Sequence, residues 1–511
     1  MKKVNQLKAG AVLSYVSLIV HNLVGIMYTP IMIRLLGKSE YGLYNLANSV
    51  VGYLAVLDLG LGNTIIRYTS KYRAEKDEEG ESKLIGLCLS IYLLLSLIVI
   101  LVGSILVINV EKIFSNSLTP SEVGTMKKLV IFMVFNVAIT LPGSVFSSII
   151  IAYEKFVFPK ILTIFRSILN PFVMLPLLLM GYKSIAITAA TTVINIMFII
   201  INMYYCFKKL NIKIKFKKMD FSILKEIGIY SILVFLVMIV DKIYWSTDQF
   251  ILGIVCGTSS VAVYAISSTI INYYLNFSTA LSGVFLPKVT KMVTNNAKEK
   301  EISDLFIKIG RIQFILMAFI LGGFLIAGTD FIMFLGGKQY TGKINYIYAT
   351  TLVILIPLTV PLIQNIGVSI IQAKNKQLFR TMVLFVIAIL NVIISIPLAK
   401  IYEGLGCAIA SGICFFLGTG ICMNYYYYKH MKIDIIKFWK NILKILIPVV
   451  ISIILGSIIG YFIPLTGILG VLSKGIVYAF IYIPLVYKVG MNDYERNEFS
   501  KLTKKILFLK K

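Results

Sequence analysis

The sequence predicts an all-α polytopic membrane protein with fourteen transmembrane helices: two parallel-repeat six-helix lobes around a central cavity, plus two extra C-terminal helices. Three observations carry this. Of 511 residues, 58% are apolar and only 14% charged, whereas a soluble domain carries about 25% charged residues. Windows of about 20 mostly apolar residues, the length a spanning helix needs, recur along the whole chain, and mean hydropathy is +0.88. Basic residues alternate from loop to loop.

Taken in order, the first window begins near Ala9 and contains His21. The second begins near Gly42 and carries Asp58, followed by Gly60 and Gly62, glycines that permit a close helix approach or a broken helix. The third and fourth start near Leu84 and Lys128, the latter containing Pro142. The fifth starts near Ile161 and contains Arg166, Pro171 and Pro176; the sixth starts at Ser184. The seventh starts near Glu226 and contains Asp241, Lys242 and Asp248. The eighth to tenth start near Val261, Ile312 and Tyr346, with Pro357 and Pro361 in the tenth. The eleventh starts near Phe379 and contains Pro397, the twelfth starts near Gly404, and the last two start near Ile442 and Gly467. Each proline removes a backbone donor and bends its helix unless neighbours satisfy the freed carbonyl.

Orientation follows from the bias of Lys and Arg towards cytoplasmic loops. Of 50 basic residues, 38 fall in one set of alternate loops that includes both termini, 10 fall in the other, and Arg166 and Lys242 lie within helices. Both termini are therefore expected in the cytoplasm. The formal charge of +27 is explained by these loops, and no nucleic-acid partner is expected. The charged N-terminus lacks a small-residue cleavage site after its apolar stretch, so it is read as retained. Six cysteines in or beside apolar runs, without metal-ligand spacing, suggest neither disulfides nor zinc.

Sliding the chain over itself by 220 residues aligns Gly37 with Gly257, Tyr44 with Tyr264, Tyr182 with Tyr402 and Lys209 with Lys429, and helices and basic loops coincide throughout. A six-helix unit returns the chain to its starting side, so the halves are read as parallel repeats. The expected domains are 1–220, 221–440 and a terminal helix pair with basic tail, 441–511.

The stretch Arg34-Leu-Leu-Gly-Lys-Ser-Glu-Tyr-Gly-Leu-Tyr44, followed by Val56-Leu-Asp-Leu-Gly-Leu-Gly62, resembles the polysaccharide transporter family of the multidrug/oligosaccharidyl-lipid/polysaccharide flippase superfamily, the bacterial lipid-linked oligosaccharide and O-antigen flippases. Asp248-Gln-Phe-Ile-Leu-Gly253 and Val263-Tyr264 are similar to that family's seventh helix and the start of its eighth. The resemblance implies a carrier that moves a polyprenyl-diphosphate-linked oligosaccharide from the inner to the outer leaflet of the bacterial plasma membrane. It also implies polysaccharide polymerase and glycosyltransferase partners.

Charges within spans are the candidate site, because each costs several kcal/mol unless it meets a wet cavity or a partner. Asp58 and Arg166 are expected at similar depth, roughly 10 Å from the cytoplasmic side by helix rise, within reach if their helices neighbour each other. Arg166 is read either as a diphosphate ligand, through its forked donors, or as a structural pair with Asp58. Lys242 is read as a second cationic station, or as snorkelling or ion-paired within its lobe. Asp241, Asp248 and His21 are candidates for ion coupling; interfacial placement competes for Asp248, as for Arg34, and hydrogen-bonded packing for His21. Tyr204, Tyr205 and Tyr425 to Tyr428 read as interfacial belts. Gly337-Lys-Gln-Tyr-Thr-Gly-Lys343 fits most of a phosphate-loop pattern, but Ile344 replaces the Ser/Thr and no strand precedes it. No cofactor is expected.

Two other classes compete. A multidrug or metabolite exporter would favour acidic cavity residues over Arg166 and Lys242. A membrane polymerase or glycosyltransferase needs catalytic residues, commonly on a sizeable outer loop, and the outer loops here are short, without clustered carboxylates or histidines. The topology makes a prediction: in a cysteine-free variant, single cysteines at Ser82, Asn296 or Lys505 stay protected from an impermeant thiol reagent in intact cells, while one at Gln339 is labelled. Labelling at Ser82 from outside would overturn the orientation.

Overall fold

The chain is described by a computed structural model that covers residues 6–216, 221–295, 297–374, 376–497 and 499–500. Among these residues there is helix, turn and coil but no strand. Each of the fourteen predicted start positions lies on an α-helix. Packing divides the chain into two compact units, Met1–Ala265 and Ile266–Lys511.

The first unit holds α1 (Gln6–Leu36), α2 (Lys38–Val51), α3 (Leu61–Glu75), α4 (Glu78–Phe114), α5 (Pro120–Ala152), α6 (Val157–Leu179), α7 (Ser184–Lys209), α8 (Phe221–Val255) and the opening turns of α9 (Thr258–Thr294). Local chemistry sets several starts. Asp77 accepts the Gly80 N–H and three acidic residues follow in the first turn of α4, against the positive helix end. Thr119 and Glu122 form a reciprocal capping box around Pro120, which lacks the N–H that would be unpaired there. The second predicted span is broken. A 3-10 turn, Leu54–Asp58, and left-handed Leu59 and Gly60 separate α2 from α3, while Gly62 lets α3 approach Ser148 of α5.

Lipid is as apolar as leucine, so membrane helices associate through close packing of small residues. Gly143 brings α5 against Ile199 of α7, and Gly103 brings α4 against Val134 of α5; a Cβ at either position would collide. Outward-facing residues such as Ile108 and Phe172 stay exposed, as lipid contact requires.

The second unit continues α9 and adds α10 (Glu299–Gly336), α11 (Ile344–Ile363), α12 (Asn365–Ala373), α13 (Gln377–Phe415), α14 (Met423–Lys429), α15 (Ile435–Tyr461) and α16 (Gly467–Leu485). Eleven helical stretches among the described residues are long and apolar enough to cross a membrane. One, Gln377–Lys429, has 53 residues, which straight would reach about 80 Å across a core of about 30 Å. It is a hairpin. Glu403 leaves helical geometry (φ 49°, ψ −130°), Asn391 donates to Ser411 at 2.8 Å, and Ile387 lies over Gly418. The repeat has a backbone counterpart: Gly37 and Gly257, 220 residues apart, both take positive φ (78° and 81°) where one helix ends and the next begins.

Two largely buried ion pairs fasten α10. Glu495 accepts two hydrogen bonds from Arg311, at 2.6 Å (Nε) and 2.9 Å (Nη2), and Arg311 also donates to the carbonyls of Asn441 and Gly490. Nineteen residues along α10, about 28 Å by helix rise, Lys474 of α16 pairs with Asp330 at 2.7 Å. Arg311, which sequence reading counts with the cytoplasmic loops, and Lys474, which it counts with the opposite set, are thus neutralised inside helices. Ser82 is likewise only 5% exposed, so a cysteine there reports burial; exposed Lys76 nearby is the informative position.

Arg311→Met leaves Glu495 buried without its cation and should cost about 3–5 kcal/mol, read as a lowered unfolding temperature in detergent. Arg311→Met with Glu495→Leu should recover much of that loss; equal damage from the single and double variants would refute the pairing.

Candidate substrate-binding site

Arg166 is the tenth residue of α6, about 14 Å from its start at 1.5 Å per residue. It is half-buried. Among the described residues its one hydrogen-bond acceptor is Asn195 Oδ1 on α7, and its guanidinium carbon lies 5.8 Å from the Phe198 ring centroid. The amide has a fixed direction. Asn195 Nδ2 donates to Asn136 Oδ1 on α5 at 2.6 Å, Asn136 Nδ2 donates to Thr192 at 3.1 Å, and Thr192 donates to the Thr188 carbonyl. One turn beyond Arg166, the Asn170 Oδ1 is buried with no hydrogen-bond partner among the described residues.

The expected contact between Asp58 and Arg166 does not form. The 3-10 turn bearing Asp58 packs on α2, α4, α5 and α8, whereas α6 packs chiefly on α1 and α7. Asp58 instead accepts a hydrogen bond from Tyr92 of α4 at 2.9 Å and another from the Gly60 N–H. Because the helix is broken here, Asp58 sits at the start of α3, where the dipole end is positive.

Lys242 on α8 is half-buried, and its ammonium lies against Gly52, where a Cβ would leave no room. Gly52 caps the C-terminus of α2, so the cation meets the negative end of that helix. No carboxylate pairs with Lys242 among the described residues. Asp241 beside it is exposed. Asp248 is not open to solvent at the helix end: it is 5% exposed and accepts a hydrogen bond from Tyr264, so the two family-like segments of the second half bind each other. His21 is exposed, 3.5 Å from Ser167 on α6, and Arg34 is exposed at the end of α1.

Other sequence readings are revised. Tyr426 and Tyr427 are buried, Tyr426 stacking on Phe379 at 4.2 Å and Tyr427 packing on Gly367, while Tyr425 and Tyr428 are exposed as a belt requires. Gly337–Lys343 forms a 3-10 turn between α10 and α11. Among the described residues no His, Cys, Asp or Glu group has a metal-binding arrangement. A polar pocket of about 490 Å³ lined by Arg73, Lys76, Glu81, Tyr153 and Lys213 lies beside the ends of α3 and α5. Its polar groups satisfy one another: Tyr153 donates to Glu81 at 2.8 Å and Arg73 stacks 3.8 Å over the Tyr153 ring. Burial pushes the Tyr153 phenol above its usual range.

Sequence reading missed Asn136, Asn195 and Tyr92 because neutral polar residues barely disturb a hydropathy window. It also missed Glu122, which accepts from Ser39 (2.6 Å), Thr258 (2.7 Å) and Thr119 (2.9 Å), tying the starts of α2, α5 and α9 together. At the same place Gly42 of α2 touches the Thr258 carbonyl.

The fold is shared with solved transporters. The lipid II flippase MurJ in an inward closed conformation superposes with a TM-score of 0.72 at 15% identity, over 93% of this chain and 97% of that one. A multidrug resistance MATE family transporter of the MOP superfamily, inward-facing, gives 0.62 at 15% identity over 83% and 96%. A MOP superfamily transporter from Pyrococcus furiosus, described by the reversed polarity of its binding pocket, gives 0.57 at 14% identity over 84% and 100%. No curated protein sequence matches the chain. The family model described as polysaccharide biosynthesis protein matches residues 7–293, more than half of the sequence, and the chain belongs to that family.

Proposed function

We propose that the chain is a flippase carrying a polyprenyl-diphosphate-linked oligosaccharide from the inner to the outer leaflet by alternating access, for cell-surface polysaccharide synthesis. It works as a carrier without a chemical step, in the bacterial plasma membrane. On this reading fourteen spans place both termini in the cytoplasm, residues 1–220 and 221–440 form the two lobes, and 441–511 adds the last helix pair and tail. Polysaccharide polymerase and glycosyltransferase are its working partners.

One observation carries the substrate class: Arg166 stands within a membrane span and is held by an amide, not a carboxylate. A guanidinium has five N–H donors in a fork that matches phosphate, and Asn195 accepts through one nitrogen only. Lys242, resting on a helix end, supplies a second cation. A sugar head cannot cross hydrocarbon without losing its hydrogen bonds to water, so the chain must offer a polar path while the lipid tail stays in the bilayer. The inside-negative potential favours an anion moving outward, at about 2.3 kcal/mol per charge per 100 mV.

The test is the distribution of lipid-linked oligosaccharide between leaflets after depletion of this protein: accumulation on the inner leaflet is expected, and an unchanged distribution refutes the reading. Arg166→Lys, at normal protein level, should lose most transport because an ammonium keeps the charge but not the fork. Wild-type transport by Arg166→Lys and Arg166→Ala would make Arg166 structural.

A further inference from the structure

We propose that Asn195 is the residue that presents Arg166 to the substrate, and that its being an amide rather than an acid is what keeps the site open to an anion. The inference rests on the flippase reading and names the residue on which its anion site depends.

The geometry leaves Asn195 little freedom. Its Nδ2 is committed to Asn136 Oδ1 at 2.6 Å, so its Oδ1 must face Arg166. Asn136 is held in turn by Thr192 at 3.1 Å and by Thr140, which donates to the Asn136 carbonyl at 2.7 Å and to Oδ1 at 3.3 Å. Three helices, α5, α6 and α7, therefore fix the guanidinium with no net negative charge. A carboxylate at position 195 would hold Arg166 as firmly and neutralise it, and an incoming diphosphate would then have to displace an internal counterion.

Asn195→Asp tests this with almost no change of shape. The fold can accommodate it: if the Asn136 amide flips, its Nδ2 donates to the new carboxylate, the Thr192 hydroxyl turns from the Thr188 carbonyl to donate to Asn136 Oδ1, and Thr140 keeps its bond to the Asn136 backbone carbonyl. Protein in phosphatidylcholine nanodiscs would be titrated with farnesyl diphosphate, and with farnesol to measure binding of the tail alone. The parent should bind the diphosphate. Asn195→Asp should bind it about tenfold more weakly, the size of one lost charge-assisted contact, with farnesol binding unchanged and thermal stability equal or higher.

A merely structural Asn195 predicts the same stability but unchanged diphosphate affinity, and that result overturns the proposal while leaving the flippase reading intact. Absence of diphosphate binding by the parent overturns both. Should Asn195→Asp not reach the membrane, Asn195→Leu and Asn195→Gln replace it. Weakened binding in the Leu variant with binding kept in the Gln variant supports the role; equal binding in both, or equal loss in both, refutes it.

Discussion

A charge inside hydrocarbon has to be answered by the protein itself, and this chain gives two kinds of answer. In the second unit the answer is a counterion: Arg311 meets Glu495 and Lys474 meets Asp330, each pair almost wholly buried. In the first unit the answer is a dipole. Arg166 meets the carbonyl end of an amide, and Lys242 meets the C-terminal end of α2. A cation with a carboxylate in hand is electrically complete and fastens helices. A cation held by a dipole keeps most of its field, which is what the proposed anion site requires.

The break in the second span makes part of this possible. A continuous helix presents its dipole ends only at the membrane faces, whereas a helix interrupted at Leu54–Asp58 and Gly60 presents two more in the interior. The end of α2 is negative and takes Lys242; the start of α3 is positive and takes Asp58, with the Gly60 N–H and the Tyr92 hydroxyl completing its bonds. One backbone feature thus accommodates opposite charges on opposite sides of itself. Leu59 takes positive φ (53°) in the same turn without being glycine, a conformation of modest cost that the surrounding packing holds.

Legibility in the sequence followed the strength of each physical signal. Hydrophobic windows are long and redundant, so every one lands on a helix, and Gly60 with Gly62 foretold both a broken helix and a close approach. Charges stand out in apolar runs, which is why Asp58, Arg166 and Lys242 were visible. Their partners were not. Asn136, Asn195 and Tyr92 are ordinary residues in apolar stretches, and which helices neighbour one another is a tertiary fact that depth along separate helices does not supply. Depth alone puts Asp58 and Arg166 together, and their different neighbours keep them apart. Asp248 looked cheap near a helix end; its burial against Tyr264 depends on how closely α8 and α9 pack, which glycine spacing alone does not set.

The choice between counterion and dipole also bears on turnover. A carrier must bind its cargo on one side and lose it on the other, so a site that holds an anion too well is as poor as one that does not hold it. On the proposed flippase reading, an internal carboxylate beside Arg166 would make each cycle break a desolvated ion pair to admit the diphosphate and reform it on release, and breaking such a pair costs about 3–5 kcal/mol. With an amide in that place, the guanidinium gives up no ion pair on binding, and it is left on release with a neutral hydrogen bond and whatever water enters. On the proposed flippase reading, that narrows the gap between loaded and empty states that hydration of the sugar and the membrane potential have to bridge.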